Sequence, residues 1–232
     1  MSSFPRPRNV RTGQVCEPGL YDTDYYRNLA SWSQSESYYF ELGSLLTRLD
    51  LCGTDTVLDV GCGAGETIRY IGSKYRCKVF GIDFPSGWPA PRDLRGLARA
   101  DALSLPFAEN AFSKVLLIHV IGHVADPVAA LNEVHRVLAP AGKCGILTPN
   151  RYFVSFYRLV NRVGLAPHRP DPTVLRLLSR QQLAQVVSEA GFRNYTVAYQ
   201  GRFPGTANPS RPRFYAWLSF LRERIVCVTQ KD

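Results

Sequence analysis

Short apolar runs alternate with stretches of helical periodicity along most of this 232-residue chain. Runs near 56–60, 78–83, 97–100, 114–119 and 143–148 are strand-length and bounded by turn-forming residues, so they read as buried strands. Between them, apolar residues recur every three or four positions. Ser33 with Glu36 gives a capping-box pattern ahead of Tyr38, Leu42, Leu45, Leu46 and Leu49. Asp126 followed by Pro127 opens a second helix with the stripe Val128, Leu131, Val134 and Leu138, which Pro140 and Gly142 end. Ser179 with Gln182 repeats the capping box before Leu183, Val186 and Val187, and Gly191 stops that helix. A strand near 194–200, a Pro/Gly-rich loop, a short helix around Phe214 to Leu221 and a strand from Ile225 to Thr229 close the chain. Strands alternating with helices predict an α/β fold around a largely parallel sheet.

Two stretches break the rhythm. Residues 85–96 hold three prolines and two glycines in twelve positions, which rules out a long helix between the second and third strands. Trp88 is the candidate to cover what that helix would cover, or else an ordinary packing aromatic. Residues 150–178 mix aromatics and arginines in an amphipathic stretch before Pro167, Pro170 and Pro172.

The first strand runs into Asp59-Val60-Gly61-Cys62-Gly63-Ala64-Gly65-Glu66. Alternating glycines let the backbone turn tightly and approach a ligand closely. The N-terminus of the next helix adds N–H groups facing it. A dinucleotide loop would place glycine at position 66, and a phosphate loop would follow with Lys-Ser/Thr; neither is present. Asp59 would repel a pyrophosphate and suits a ligand with a cationic end. Asp83 ends the second strand eighteen residues after Gly65, near the spacing at which a carboxylate grips ribose hydroxyls. Asp101 follows the third strand, so three acids stand at the carboxyl ends of strands.

This combination resembles the class I S-adenosylmethionine-dependent methyltransferases. The likeness is greatest to the group acting on quinones, lipids and natural products, which shares the Leu105-Pro106-Phe107 and His123-Val124-Ala125-Asp126-Pro127 elements. It covers about residues 50–150 well and the rest in outline. The resemblance implies a Rossmann-like seven-stranded sheet, mostly parallel with an antiparallel C-terminal hairpin, and helices on both faces. It implies S-adenosyl-L-methionine as cofactor. Asp83 would hold the ribose and Phe84 flank the adenine. Asp101 would accept from the adenine amino group, with the Ala102 backbone beside it. Gly61, Cys62 and Gly63 would contact the methionine part, Asp59 would orient its ammonium, and Gly65 and Ile118 would belong to the same cofactor site. It also implies one domain over 19–232, with an N-terminal helical cap at 19–50 and a lid insertion at 150–178; the basic composition of 1–18 reads as a disordered tail before it.

Composition narrows the partners. The net charge of +9 comes with Arg6, Arg8 and Arg11 at the start and with Arg151, Arg158, Arg162, Arg169, Arg176 and Arg180 after the fifth strand. Nucleic acid, an anionic small substrate and a peripheral membrane contact all fit that balance, as do plain solvated helix faces. The Asx-Pro-Pro-aromatic motif of nucleic-acid amino-methyltransferases is missing after the fourth strand, where Ile118-His119-Val120-Ile121 stands. A small-molecule acceptor is therefore preferred over RNA, and a non-catalytic cofactor-binding subunit is the third reading. Six cysteines lack Cys-x-x-Cys spacing, so no metal is expected and reduced thiols in the cytoplasm are the simplest reading. No apolar run reaches the ~18 residues of a membrane span. Oligomeric state is not legible. Methyl transfer needs proximity first and a base only where the acceptor loses a proton. His119 is the first candidate base, at the end of the fourth strand, and His123 the second.

Overall fold

A computed structural model describes residues 25–27, 33–84, 88–162, 171, 173–201 and 222–232. In chain order the elements are α1 (Glu36–Arg48), β1 (Thr56–Val60), α2 (Glu66–Tyr75), β2 (Lys78–Asp83), β3 (Leu97–Arg99) and β4 (Phe112–Ile118). They continue with α3 (Pro127–Val137), β5 (Leu138–Pro149), α4 (Arg151–Arg162), α5 (Arg180–Glu189), β6 (Asn194–Gln200) and β7 (Arg224–Gln230). A helical turn at residues 25–27 precedes them. The expected basic tail and the short helix around Phe214 to Leu221 lie outside the described residues.

The strands form one seven-stranded sheet in the order β3-β2-β1-β4-β5-β7-β6. β1 to β5 run parallel. β7 pairs antiparallel with both β5 and β6, closing the sheet with a hairpin. The pleat sorts side chains by period two. Leu58 and Val60 of β1 join Val115, Leu117, α3 and α5 on one face. Val57 joins Leu116, Leu147, α1 and Ile71 of α2 on the other. Asp59 therefore shares Val57's face, under α1 and α2.

Three boundaries differ from the sequence pattern. Ser35, not Ser33, caps α1 by accepting from the Tyr38 N–H at 3.2 Å. Ser33 is buried instead. The β5 strand begins at Leu138, which leaves the α3 stripe and pairs with Phe112; a register shift follows before Lys114 meets Lys143. That irregularity absorbs Pro140 and Gly142 inside the strand, where they had looked like a helix stop. Finally, β4 ends at Ile118. His119 takes φ 60°, a left-handed conformation that cannot continue a strand.

Trp88 fills the gap left between β2 and β3. It is 1% exposed and clusters with Tyr26, Cys62 and Ile68. Its indole N–H donates to the Gly63 carbonyl at 2.7 Å, and Arg99 donates to the Trp88 carbonyl at 2.9 Å. One large side chain with its polar end paired covers the patch in place of a helix.

Candidate active site

The chain leaves β1 in one direction for β2 and β3, and returns on β1's other side as β4. Such a reversal opens a crevice at the strands' carboxyl ends. The glycine loop sits in it. Gly61, Gly63 and Gly65 have φ of 76°, 51° and 82°, conformations that cost other residues strain. The Gly61 and Cys62 N–H groups both donate to the Ile82 carbonyl, binding the loop to β2. A Cβ on Gly61 would overlap Val120, and one on Gly65 would overlap Leu94. These glycines thus admit neighbouring loops as closely as they would admit a ligand. Cys62 is buried in the loop, and burial, with the charges of Asp59 and Asp83, pushes its thiol pKa far up. Ile118, also buried, closes β4.

Asp83 is the centre of the crevice. Its carboxylate accepts from the Gly63 N–H at 2.6 Å, the Phe84 N–H at 2.7 Å and the Tyr26 hydroxyl at 3.2 Å. Burial raises its pKa, and the two backbone donors and Tyr26 act against that rise. A carboxylate held by such donors keeps its orientation and its acceptor strength. Asp101 stands past β3, where its Oδ1 accepts from the Leu103 N–H at 2.9 Å and its carbonyl accepts from Ser104 N–H. Ala102 lies inside that turn.

Asp59 is 1% exposed, and its Oδ2 has no hydrogen-bond partner among the described residues. Burial first, then the charge of Asp83, pushes its pKa up to about 8; the Thr67 hydroxyl, itself bonded to Tyr38, acts the other way. An unfolded Asp titrates near ~4. The folded state therefore holds this proton more tightly, so the stability it contributes is present below about pH 4 and is lost as pH rises toward about 8. Asp59→Asn keeps the shape and removes the titration. Its melting temperature is expected to gain on the parent steadily from about pH 5 to about pH 8, by up to a few kcal/mol of stability. Melting curves across that range check this, and a difference that stays flat with pH contradicts it.

The two histidines after β4 have different surroundings. The left-handed turn at His119 carries its ring toward α1, where Nε2 lies 3.7 Å from Glu41 Oε2. Its pKa is pushed down to about 4, by burial foremost; Glu41 opposes this, while Arg224 and His123 add to it. Glu41 is 1% exposed, accepts from Arg224 Nε at 3.2 Å, and has its backbone carbonyl bound by Gln200. Burial would raise the Glu41 pKa, but His119 and Arg224 hold it below the usual value. This cluster is not among the sites expected from the sequence. Its signal was a charged residue at an apolar-stripe position, since Tyr38, Glu41, Leu42 and Leu45 share one face of α1.

His123 is held by the end of the 150–178 insertion. Its Nδ1 lies 2.9 Å from Thr173 Oγ1, which lies 2.6 Å from Asp171 Oδ1. Thr173 is fully buried. The Leu175 and Arg176 N–H groups both bind the Gly122 carbonyl, and Arg176 Nη2 donates to the Ala125 carbonyl at 2.7 Å. A threonine hydroxyl has one proton, and the Asp171 carboxylate has none to give, so Thr173 donates to Asp171. His123 Nδ1 must then be the donor to Thr173, which leaves Nε2 as the basic nitrogen. Burial lowers the His123 pKa, with Asp171 and Thr173 raising it, so the ring is neutral near pH 7. Neither Thr173 nor Asp171 was legible, because both lie in a proline-rich stretch without periodicity.

Residues 58–146 match the family model described as a methyltransferase domain. Cycloartenol-C-24-methyltransferase 1 of Oryza sativa subsp. japonica is 30% identical over 156 residues, 59% of this chain and 43% of that enzyme. The chain thus spans less than half the length of that relative. Demethylmenaquinone methyltransferase of Lactiplantibacillus plantarum is 24% identical over 209 residues, 76% of this chain and 87% of that enzyme. Among solved structures, a SAM dependent methyltransferase from Archaeoglobus fulgidus superposes with a TM-score of 0.65 at 16% identity, covering 90% of this chain and 100% of that one. At that identity the likeness speaks for the fold, which is the same Rossmann-like sheet. The family match opens at Leu58 inside β1 and closes at Ile146 inside β5, so it takes in the glycine loop, Asp83 and both histidines. Residues 58–146 accordingly carry the sequence pattern of a methyltransferase domain, on the fold shared by S-adenosylmethionine-dependent methyltransferases of known structure.

Proposed function

We propose that this chain transfers a methyl group from S-adenosylmethionine to a small acceptor of aromatic or lipid-like character, at O, N or C. The observation that carries the reading is Asp83, a carboxylate oriented by the glycine loop itself at the end of β2. The residues fit the cofactor. Asp83 offers an acceptor for ribose hydroxyls where the Tyr26 hydroxyl now donates, and Asp59 offers a buried acceptor oxygen suited to an ammonium. We assign Phe84, Asp101 and Ala102 to the adenine, and Gly61, Cys62, Gly63, Gly65 and Ile118 to the methionine part. When bound, the sulfonium supplies an activated methyl open to in-line displacement.

The chain's own work is to orient the acceptor, keep water out and, where the acceptor is an alcohol or amine, take its proton. We give that last task to His123 Nε2, because the Thr173–Asp171 chain sets its tautomer and the ring is neutral. His119 stands second, because its ring is turned toward Glu41. Relatives named for a sterol and a quinone support a small acceptor. The free thiols of the five described cysteines are in keeping with a reducing, cytoplasmic setting.

Incubation with methyl-labelled cofactor and a panel of quinols, sterols, phenols and amines tests the reading. Label is expected in at least one small acceptor. Label in RNA alone would put the nucleic-acid reading first. No transfer to either, with cofactor still bound, would favour a non-catalytic subunit.

A further inference from the structure

The most unusual surface of the molecule is helix α4. None of its residues is buried. Asn150 anchors its base from within the core: its side chain donates to the Arg222 carbonyl at 2.7 Å and accepts from the Tyr152 N–H at 3.1 Å, while the Arg151 N–H binds the Leu178 carbonyl. Beyond that anchor, Tyr152, Phe156 and Leu159 are 46%, 38% and 61% exposed. Their spacing of four and then three puts them in one stripe along the helix. Arg151, Arg158 and Arg162, spaced seven and four apart, form a second stripe about 100° round the axis. The helix contains no Asp or Glu.

A solvated helix has no use for an apolar stripe, and a packed one would bury it. An apolar stripe beside an all-cationic one matches the boundary of an anionic bilayer, where apolar side chains enter the acyl region and arginines reach headgroup phosphates. A nucleic acid would answer the arginines but leave Leu159 without a partner, since stacking on bases needs a flat ring. We propose that α4 is an interfacial helix that seats the protein on anionic lipid. The chain's net charge of +9 adds long-range attraction to the same surface. Position gives the contact a purpose. α4 leaves the carboxyl end of β5, which runs parallel to β4 and β1, so it lies on the sheet edge that holds the crevice. A protein seated by α4 presents that edge to the membrane, where an apolar acceptor would be dissolved. The surface contact itself does not depend on which acceptor is used.

Flotation of the full chain with vesicles tests this, comparing phosphatidylcholine alone with phosphatidylcholine containing phosphatidylglycerol. Binding is expected to be at least ~10-fold stronger to the anionic vesicles and to weaken with salt. Replacing Arg151, Arg158 and Arg162 together with Gln should cost about 10- to 100-fold in that binding. Phe156→Ser with Leu159→Ser should also lower it, and leave binding that salt abolishes entirely. Every variant should keep the parental affinity for S-adenosylmethionine, which separates loss of the surface from loss of the fold. No binding to either vesicle would overturn the proposal. So would equal binding by the Phe156/Leu159 variant, or arginine-dependent binding to a structured RNA without vesicle binding.

Discussion

His123→Ala is expected to lower kcat by ~10²–10⁴ with an acceptor that must shed a proton, while cofactor affinity stays nearly parental. The mechanism is the loss of a neutral imidazole whose Nε2 is kept basic by the Nδ1–H bond to Thr173. The activity–pH curve should lose its acidic limb, because that limb reports protonation of Nε2. Thr173→Val keeps the buried volume but removes the acceptor for Nδ1–H, so it should cost less, about 10-fold, and move the limb. Asp171→Asn acts one bond further away and should do less again. A merely structural His123 would give a loss that is independent of pH. His119→Ala is the control: its ring faces Glu41, so the expected change is in stability, with kcat within a few-fold of the parent. A pH-dependent kcat loss in His119→Ala, with His123→Ala near parental, would return the base to His119.

Asp83→Ala is expected to weaken S-adenosylmethionine binding by ~1–3 kcal/mol, roughly 5- to 150-fold in Kd. Two effects combine. The ribose loses a charged acceptor, and the Gly63 and Phe84 N–H groups lose the carboxylate that holds the loop. Tyr26→Phe separates them, since it removes the hydroxyl that donates to Asp83 without disturbing the loop. It should bind cofactor as tightly as the parent or somewhat more tightly. Titration calorimetry of both variants checks this; equal affinity in Asp83→Ala would remove Asp83 from the site.

What the sequence made legible follows from which interactions are local. Gly61, Gly63 and Gly65 announce themselves because positive φ demands glycine at three fixed positions. Asp59, Asp83 and Asp101 could be placed because each ends or follows an apolar run, and a parallel sheet brings such ends to one edge. The helix stripes of α3 and α5 were readable for the same periodic reason, as was the lack of a helix where Trp88 now packs. The misses are of another kind. Leu138 has the right spacing for the α3 stripe, and only the long-range pairing with Phe112 draws it into β5. His119 looked like the last residue of a strand until its φ turned the ring aside. Glu41 needs Arg224, far along the chain, to be tolerable in a core, and His123 needs Asp171 and Thr173 from the insertion. Each depends on partners that no local window contains.

We infer from the glycine loop and its acids that the crevice receives an adenosyl sulfonium and not a dinucleotide. Titration calorimetry of the whole chain with S-adenosylmethionine, and separately with NAD, in the presence of a chelator tests it most directly. One saturable site for S-adenosylmethionine, unaffected by the chelator, and no measurable heat from NAD are expected. Binding of NAD with none of S-adenosylmethionine would contradict it.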